Sequence, residues 1–516
     1  MAEHNLEASK TPIVAEKDDI AAAKGEHVEE IGHAATAEDH VETPLQAIKN
    51  QPWAFLWCVY AIYVLILTSF DNQAGGSILS IPEFRKDFGN EFNSDYVLPA
   101  KWQSAYSGAP VASAVIGSIG AGYITDIIGR KWTYFISYVF IFVGITLETT
   151  STTNEMFFAG KFIAGFPIGA FITVSMTYIG EIAPLALRGI LTAAAAIAFT
   201  IGPFIVSLIV NATGARQDRW AYRAIFVSQY GVSGLGILVL AFMPESPWWL
   251  VNKGKMQKAM KSLSRLGYDA VQAEKRLSII TTTLAEVRKE TEGASYAECF
   301  RKSNLRRTVI SVMPLSIQAL CGVYFVSAYS TYYQQLAGYS TQESFILAIV
   351  QQVISMLGNV VSWFLIDRVG RRGLTLYGMC ILTTLLMITG GLAAAGTPGA
   401  VKGTVALLLI YCFFYNVTIG ATAYSLLTEV ATSRLRAKTA SMALALQNAL
   451  FAKVAFIFGA FSILSTVYLF LYQPEVAGRS YEELDEMFMK RVPARDFKSY
   501  KTEIEEKSER AVAENI

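Results

Sequence analysis

Three charged motifs recur in the same order in the two halves of the chain. An Asp lies four residues before an Arg, a Glu lies seven residues before an Arg, and a Glu follows a Pro. Carboxylate and guanidinium groups form bidentate ion pairs that can break and re-form. The motifs therefore predict a gate built from charge pairs rather than a catalytic site. Its members are Asp126, Arg130, Glu181, Arg188 and Glu245 in the first half, and Asp367, Arg368, Arg371, Glu429 and Arg436 in the second.

Long apolar runs separate these motifs and must position them. The 516 residues are 53% hydrophobic and 16% charged, whereas a soluble protein carries about 25% charged residues. A membrane-spanning helix needs about 20 mainly apolar residues. The sequence predicts such spans at residues 53–80, 102–124, 132–150, 156–180, 189–210, 222–243, 308–336, 343–366, 374–395 and 403–428. The motifs then lie at the ends of spans. An alternative interpretation is that they are ordinary interfacial anchors. Their recurrence in the same order in both halves favours the gate.

The polar segments predict how the chain is divided and oriented. Residues 1–50 are acidic, contain all four histidines (His4, His27, His33 and His40) and should be a disordered tail. Residues 244–307 predict a linker with amphipathic helices over 255–266 and 270–290. This leaves a first half at 51–243, a second half at 308–472 and a charged tail at 473–516. Lys and Arg concentrate in alternate loops, which places the linker and both tails in the cytoplasm. The net charge of +1 argues against a nucleic-acid partner.

The motifs resemble those of the sugar porters of the major facilitator superfamily. The resemblance is carried by residues 122–131, 181–189, 244–250, 318–322, 367–372 and 474–479. Residues 244–250 and 434–439 are most similar to the fungal maltose and α-glucoside proton symporters. The resemblance implies an all-α membrane bundle of two six-helix halves, nominally twelve spans. It also implies alternating access to a sugar at the midplane. It further implies a monomer in the plasma membrane, with a sugar and the lipid bilayer as partners. The proton is the expected coupling ion, and no cofactor is expected.

Proton coupling requires an ionisable group within the membrane. An intramembrane charge is a functional hypothesis by default, and Asp71 lies inside the first span. The resemblance places the proton site at Asp71 and its basic partner at Lys161, where the family usually has Arg. The alternative is that Lys161 snorkels to the outer interface and Asp71 is exposed to water at the end of a helix. Glu148, near the outer end of the third span, is expected to be an interfacial residue.

The resemblance also assigns substrate-binding positions to the second half. Gln318 matches one of a pair of family glutamines, and Tyr324, Tyr329 and Tyr424 supply aromatic faces for a sugar ring. The alternative is that these tyrosines serve packing. Ala196, Ala319 and Ala421 depart from the family pattern, so the polar site is expected to be thinner than in a typical sugar porter.

The repeated motifs also reveal an asymmetry between the halves. Glu181 and Glu245 are 64 residues apart, whereas Glu429 and Glu475 are 46 apart. Residues 439–473 can barely hold two minimal spans of about 17 residues each. The favoured prediction is a truncated eleventh helix, with a short helix at Tyr481–Phe488 still cytoplasmic. The alternatives are a missing helix or a lost piece of coding sequence.

Three functions remain open for such a chain. The favoured one is proton-coupled uptake of an α-glucoside such as maltose. The second is a non-transporting sugar sensor or regulatory relative, which a shortened second half would allow. The third is a carrier of another small polar metabolite. An enzyme is not expected, because no His lies in the bundle and no Gly-rich phosphate loop is present.

Overall fold

The computed structural model describes residues 44–92, 95–291, 296–395, 397–430 and 481–490, together with several shorter stretches. Those stretches are 435, 439, 442–444, 446–447, 468–469, 472–474, 492–493, 497, 500 and 502. Most of the amino-terminal tail, with all four histidines, lies outside the described residues. So does most of the segment predicted to hold the truncated eleventh helix. The sequence expectations for both segments stay predictions.

The first half of the chain is helical apart from one small hairpin. Its helices are α1 (Pro44–Asn50), α2 (Pro52–Ser77), α3 (Pro82–Phe88), α4 (Ala100–Ile128), α5 (Arg130–Thr150), α6 (Asn154–Ile182), α7 (Leu185–Thr213) and α8 (Trp220–Leu240). A 3-10 turn at Ile78–Ser80 follows α2. Strands β1 (Asn90–Phe92) and β2 (Asp95–Val97) pair antiparallel in the loop before α4. The hairpin was not predicted from the sequence, and α1 lies in the segment that was expected to be disordered.

The remaining described elements form the linker, the second half and the tail. They are α9 (Pro247–Asn252), α10 (Met256–Arg265), α11 (Ala270–Thr291), a 3-10 turn at Tyr296–Phe300, α12 (Lys302–Leu320), α13 (Val323–Leu336), α14 (Thr341–Val369), α15 (Arg371–Ala395), α16 (Pro398–Val417), α17 (Ile419–Val430) and α18 (Tyr481–Met489). The helices α10 and α11 lie where the two amphipathic helices were predicted, and α18 lies where the short tail helix was predicted.

Nine helical segments of the described chain are long and apolar enough to cross a membrane. They are Pro52–Ser80, Ala100–Ile128, Arg130–Thr150, Asn154–Ile182, Ala194–Thr213, Trp220–Leu240, Thr341–Ile366, Arg371–Ala395 and Gly399–Tyr424. These match the predicted spans of the first half and three of those in the second. The predicted span at 308–336 is instead divided between α12 and α13.

The chain forms two compact units. One contains residues up to Leu56, residues 181–188 and residues 244–293. Within it, α9, α10 and α11 share a core of Trp249, Leu250, Val251, Ala259 and Ile280. The Ser246 hydroxyl accepts a bond from the Trp249 backbone N–H and caps α9. The backbone of Ala54 donates to Leu266 O at 3.1 Å, which ties the start of α2 to the end of α10.

The other unit contains residues 57–180, 189–243 and 294 onward, and it shows the predicted repeat directly. Gly129 and Gly370 separate α4 from α5 and α14 from α15, with φ of 98° and 85°. A side chain at positive φ is strained, so glycine suits both turns. The following residues, Arg130 and Arg371, each donate to a carbonyl five residues back, Thr125 O at 3.3 Å and Ile366 O at 3.4 Å. Both motifs thus fix a helix-to-helix turn.

Two spans of the second half are broken, and polar side chains satisfy the exposed backbone groups. Gly322 adopts φ 87° between α12 and α13, and the Tyr411 hydroxyl donates to Cys321 O at 2.6 Å. The second break lies at Thr418, between α16 and α17. Backbone groups freed inside a membrane must find partners within the protein. Such discontinuous helices are typical of the binding centre of a transporter.

Close contact between α4 and α6 depends on glycine. Gly165 and Gly169 lie four residues apart on α6, the spacing that lets membrane helices approach closely. A Cβ atom at Gly165 would collide with Ser113 Oγ and the Pro110 carbonyl oxygen, and one at Gly169 with the Ala114 carbonyl oxygen. The two backbones therefore meet with no room for a side chain.

The tail helix α18 packs against α12 and α17. Leu484 and Met487 bury their side chains with Ile310, Leu426 and Val430. In the same region, Arg307 Nε donates to Val430 O at 2.9 Å. Since the sequence assigns the start of α12 to the cytoplasmic side, this packing supports the expectation that the tail is cytoplasmic.

Replacing Gly165 by Ala should destabilise the protein, because the new methyl group overpacks the contact between α4 and α6, at a cost of about 1 to 3 kcal/mol. Thermal unfolding of the purified protein in detergent measures the change. Gly108→Ala is the matched control, since a Cβ at Gly108 on α4 meets nothing within 4 Å. Equal unfolding temperatures for the two variants would contradict the close contact.

Candidate functional site

The first half holds a wholly buried ion-pair centre around Lys161. The Lys161 ammonium on α6 donates to Asp71 Oδ1 on α2 at 3.1 Å, which confirms the predicted pair. Glu148 Oε1 on α5 lies 3.2 Å from the same Nζ atom. None of the three side chains is more than 1% exposed. One ammonium is therefore shared by two carboxylates.

Neutral groups complete the surroundings of this centre. Gln229 on α8 donates to Asp71 Oδ1 at 3.1 Å, and the Phe226 ring lies 5.2 Å from the Lys161 ammonium. Gly75 of α2 lies beside the long side chain, where a Cβ would make an ordinary contact with Lys161 Cε at 3.7 Å. Four spans, α2, α5, α6 and α8, thus converge on one buried cation.

The expectation that Glu148 is interfacial was wrong. Its side chain is fully buried, because α5 continues for two residues beyond it and α6 packs against it. A Cβ at Gly160 of α6 would come within 2.9 Å of Glu148 Cγ, so only glycine allows this approach. Burial of a charge without a partner is costly, which explains why Glu148 faces Lys161.

Residues of both halves line one cavity, and two of them follow Asp71 of the ion-pair centre directly in the sequence. Asn72 and Gln73, which directly follow Asp71 on α2, line it together with Phe199 and Thr200 of α7. The second half contributes Gln318, Val323, Ser327, Gln351, Gln352, Ser355, Asn416, Tyr424 and Gln447. Concave sites with a few convergent polar groups are typical ligand pockets.

Gln318 lines this cavity as predicted, but its amide is already engaged. Its Nε2 donates to Ile419 O at 3.0 Å and to Gly420 O at 3.2 Å, at the break between α16 and α17. Gln447 Nε2 donates to Gln318 Oε1 at 2.8 Å. Gln318 therefore stabilises the broken span, and any bond to a sugar would come from the second lone pair of Oε1.

Tyr424 supplies the aromatic face that the sequence predicted. Its ring stacks on Phe199 of α7, with centroids 5.5 Å apart and planes within 10°. Both rings line the cavity, so residues from the two halves meet at this stack. For Tyr324 and Tyr329, on α13, the side chains lie outside the described part of the structure, and their assignment stays a prediction.

Amides of α14, a span with no predicted site residue, also line the cavity. The expectation of a polar site thinner than in a typical sugar porter stays a prediction. Gln351 and Gln352 of α14 are 3% and 5% exposed, and both line the cavity. Gln351 Oε1 has no hydrogen-bond partner among the described residues. Two consecutive glutamines in an apolar span are expensive in a membrane. This cost was the signal that could have identified them.

A set of hydrogen bonds, here called the outer latch, joins the two halves on the side assigned to the outside. Gln73 Oε1 accepts a bond from Ser327 Oγ at 3.0 Å. Gln335 of α13 donates to Ser80 O at 2.9 Å and accepts from Arg85 at 3.2 Å. These bonds hold α2 and α3 against α13. The two halves are therefore in direct contact on this side.

The predicted gate residues fall into both units. Asp126 and Arg130 form a loose ion pair at 3.9 Å, and Glu245 Oε1 accepts from the Ser246 backbone at 3.0 Å. Glu181 is half-buried and Arg368 is exposed. The side chains of Arg188, Asp367 and Glu429, and the whole of Arg436, lie outside the described residues. The gate stays a prediction.

Comparison with known families shows which family the chain belongs to. The family model described as sugar (and other) transporter matches residues 57–488. The chain belongs to this sugar transporter family. The sugar transporter is thus a multi-pass membrane protein, and the prediction of a carrier rather than an enzyme is confirmed.

The similar proteins include yeast permeases, which confirms the predicted branch. A maltose permease of Saccharomyces cerevisiae is 30% identical over 493 residues, covering 89% of this chain and 79% of that permease. A general α-glucoside permease of the same yeast is 28% identical over 493 residues, covering 90% and 80%.

Solved structures confirm the fold of the sugar transporter. The major facilitator superfamily proton:xylose symporter XylE, bound to 6-bromo-6-deoxy-D-glucose, matches with a TM-score of 0.71 at 23% identity. The match covers 85% of this chain and 100% of that one. A partially occluded inward open conformation of XylE from E. coli gives 0.68 at 19% identity, covering 83% and 100%. The predicted bundle of two halves is therefore correct.

Replacing Lys161 by Met should strongly destabilise the transporter, because it leaves two buried carboxylates without a cation, at a cost of about 3 to 5 kcal/mol. Thermal unfolding of the purified protein in detergent measures the loss. The triple variant Lys161→Met, Asp71→Asn, Glu148→Gln is the control and should recover stability; an equally unstable triple variant would contradict the charge argument.

Proposed function

We propose that this sugar transporter imports maltose or a related α-glucoside together with protons. The supporting observation is that Asp71, paired with Lys161, directly precedes two cavity-lining amides on the same helix. A change in protonation at Asp71 therefore acts on the helix that also borders the sugar site. The proton is the coupling ion, and the site needs no other cofactor.

The lining of the cavity suits a sugar. Amides of α2, α14 and α16 offer donors and acceptors for hydroxyl groups, and the ring stack of Tyr424 and Phe199 offers a flat apolar surface. A buried hydroxyl left unpaired is costly. The polar lining residues can satisfy the hydroxyl groups of a sugar, which fits the similarity to yeast permeases for maltose and α-glucosides.

Alternating access would use two closures on opposite sides of this cavity. The outer latch is one, and the charge pairs of the predicted gate, Asp126, Arg130, Glu181, Arg188 and Glu245 with their second-half counterparts, are the other. One chain holds both halves, so the transporter would act as a monomer. Its place would be the plasma membrane, where an importer meets external sugar.

Uptake of radiolabelled maltose, other glucosides, hexoses and polyols in a host lacking its own carriers tests the function. The transporter should accumulate an α-glucoside against its gradient, and Asp71→Asn should only equilibrate it, because the variant lacks the coupled proton. Asp87→Asn, at an exposed ion pair with Arg219, is the matched control and should accumulate normally.

Two outcomes would contradict the proposal. Normal accumulation by Asp71→Asn would exclude coupling through this residue. Absence of uptake for every sugar by the correctly inserted wild-type protein would favour a sensor.

Replacing Gln351 by Leu should raise the KM for the sugar about 10-fold, because a lost hydrogen bond to a buried hydroxyl costs on the order of 1 to 2 kcal/mol. The maximal rate should change little. Initial uptake rates over a range of sugar concentrations measure both. Val353→Ala, on an exposed position of the same helix, is the control. An unchanged KM in Gln351→Leu would remove this residue from the sugar site.

A further inference from the structure

The buried centre around Lys161 carries one more acid than base. Lys161 supplies one positive charge, and Asp71 and Glu148 supply two carboxylates, all nearly inaccessible to water. An uncompensated buried charge is costly, and a buried group takes up a proton rather than remain charged. The centre therefore becomes neutral when it holds one proton on one of the two carboxylates.

The geometry shows which carboxylate holds that proton. Asp71 Oδ1 accepts two hydrogen bonds, from Lys161 and from Gln229, both at 3.1 Å. Hydrogen bonds to a carboxylate favour its charged form. Glu148 has only one polar contact, the Lys161 ammonium at 3.2 Å from Oε1, and its Oε2 has no hydrogen-bond partner among the described residues. Glu148 is the better site for the proton.

No other ionisable group offsets this excess among the described residues. The charged groups that act on the Glu148 carboxyl are Lys161 of α6 and Asp71 of α2. On α8, Gln229 and Phe226 are neutral, and Arg223 directs its guanidinium to the Ser151 carbonyl at 3.5 Å. Ser151 itself donates to the backbone carbonyl of Glu148, not to its carboxyl group.

We propose that Glu148 is a second proton-holding residue of the transporter, and this inference rests on the proposed proton coupling. In the conformation with the outer latch closed, the proton occupies a Glu148 carboxyl oxygen while Lys161 pairs with Asp71. The O–H bond forms with a proton from external water and breaks to cytoplasmic water when the centre opens inward. Because two carboxylates compete for one ammonium, a proton on one strengthens the ion pair of the other. Loss of Glu148 leaves Lys161 and Asp71 as a neutral ion pair, which takes up a proton less readily than the centre with two carboxylates.

Purified protein in proteoliposomes tests the role of Glu148, with sugar accumulation driven by a pH gradient and sugar-for-sugar exchange measured side by side. Glu148→Gln should keep exchange near the wild-type rate and lose accumulation. Glu148→Asp, which keeps an ionisable group, should retain accumulation with a shifted pH profile. Normal accumulation by Glu148→Gln, with the wild-type pH profile, would overturn the inference. If the wild-type protein itself moves no protons with sugar, the proposed coupling fails instead.

An infrared measurement keeps the inference testable if Glu148→Gln does not fold. The spectrum of the wild-type protein should contain the C=O band of a protonated carboxyl group that shifts in Glu148→Asp. It should be unaffected by Asp87→Asn. An identical band in the wild-type protein and in Glu148→Asp would show that Glu148 holds no proton and would overturn the proposal, whatever the transport assays show.

Discussion

The shared ammonium of Lys161 is the interaction on which the first half depends. Desolvating a charged group is costly unless ion pairs and hydrogen bonds replace its water. Here Asp71 and Glu148 pair with the ammonium, and Gln229 in turn donates to Asp71, so that three further helices contribute. The positions of α2, α5 and α8 around α6 are therefore constrained by one charge. A change in its protonation alters contacts in all four helices at once.

In the second half, the backbone groups at the broken spans likewise need hydrogen-bond partners within the protein. Just after the break at Thr418, Gln318 donates to the carbonyl groups of Ile419 and Gly420, and Tyr411 donates to Cys321 O beside the break at Gly322. Gln447 then binds the oxygen of Gln318. Residues that line the cavity thus also hold the backbone of the broken spans in place. Substrate contacts and helix geometry in this half are for that reason difficult to change independently.

The sequence predicted the elements that a single residue or a strong pattern determines. The apolar runs defined the spans, Gly129 and Gly370 marked equivalent turns, and the family resemblance paired the intramembrane Asp71 with Lys161. Glu148 was misplaced because its distance from the end of a span does not show whether a neighbouring helix covers it. Gln351 and Gln352 were missed because the family pattern directed attention to other spans. The second function of Gln318 depends on a helix break that no local pattern revealed.

The central claim is that the buried centre moves protons together with sugar. Recording the charge transferred when α-glucoside is added to proteoliposomes of the purified transporter tests it most directly. The account predicts a sugar-dependent movement of positive charge in the direction of sugar entry, accompanied by alkalinisation of the external medium and absent from Asp71→Asn. Sugar entry without charge movement or pH change in the wild-type protein would contradict it.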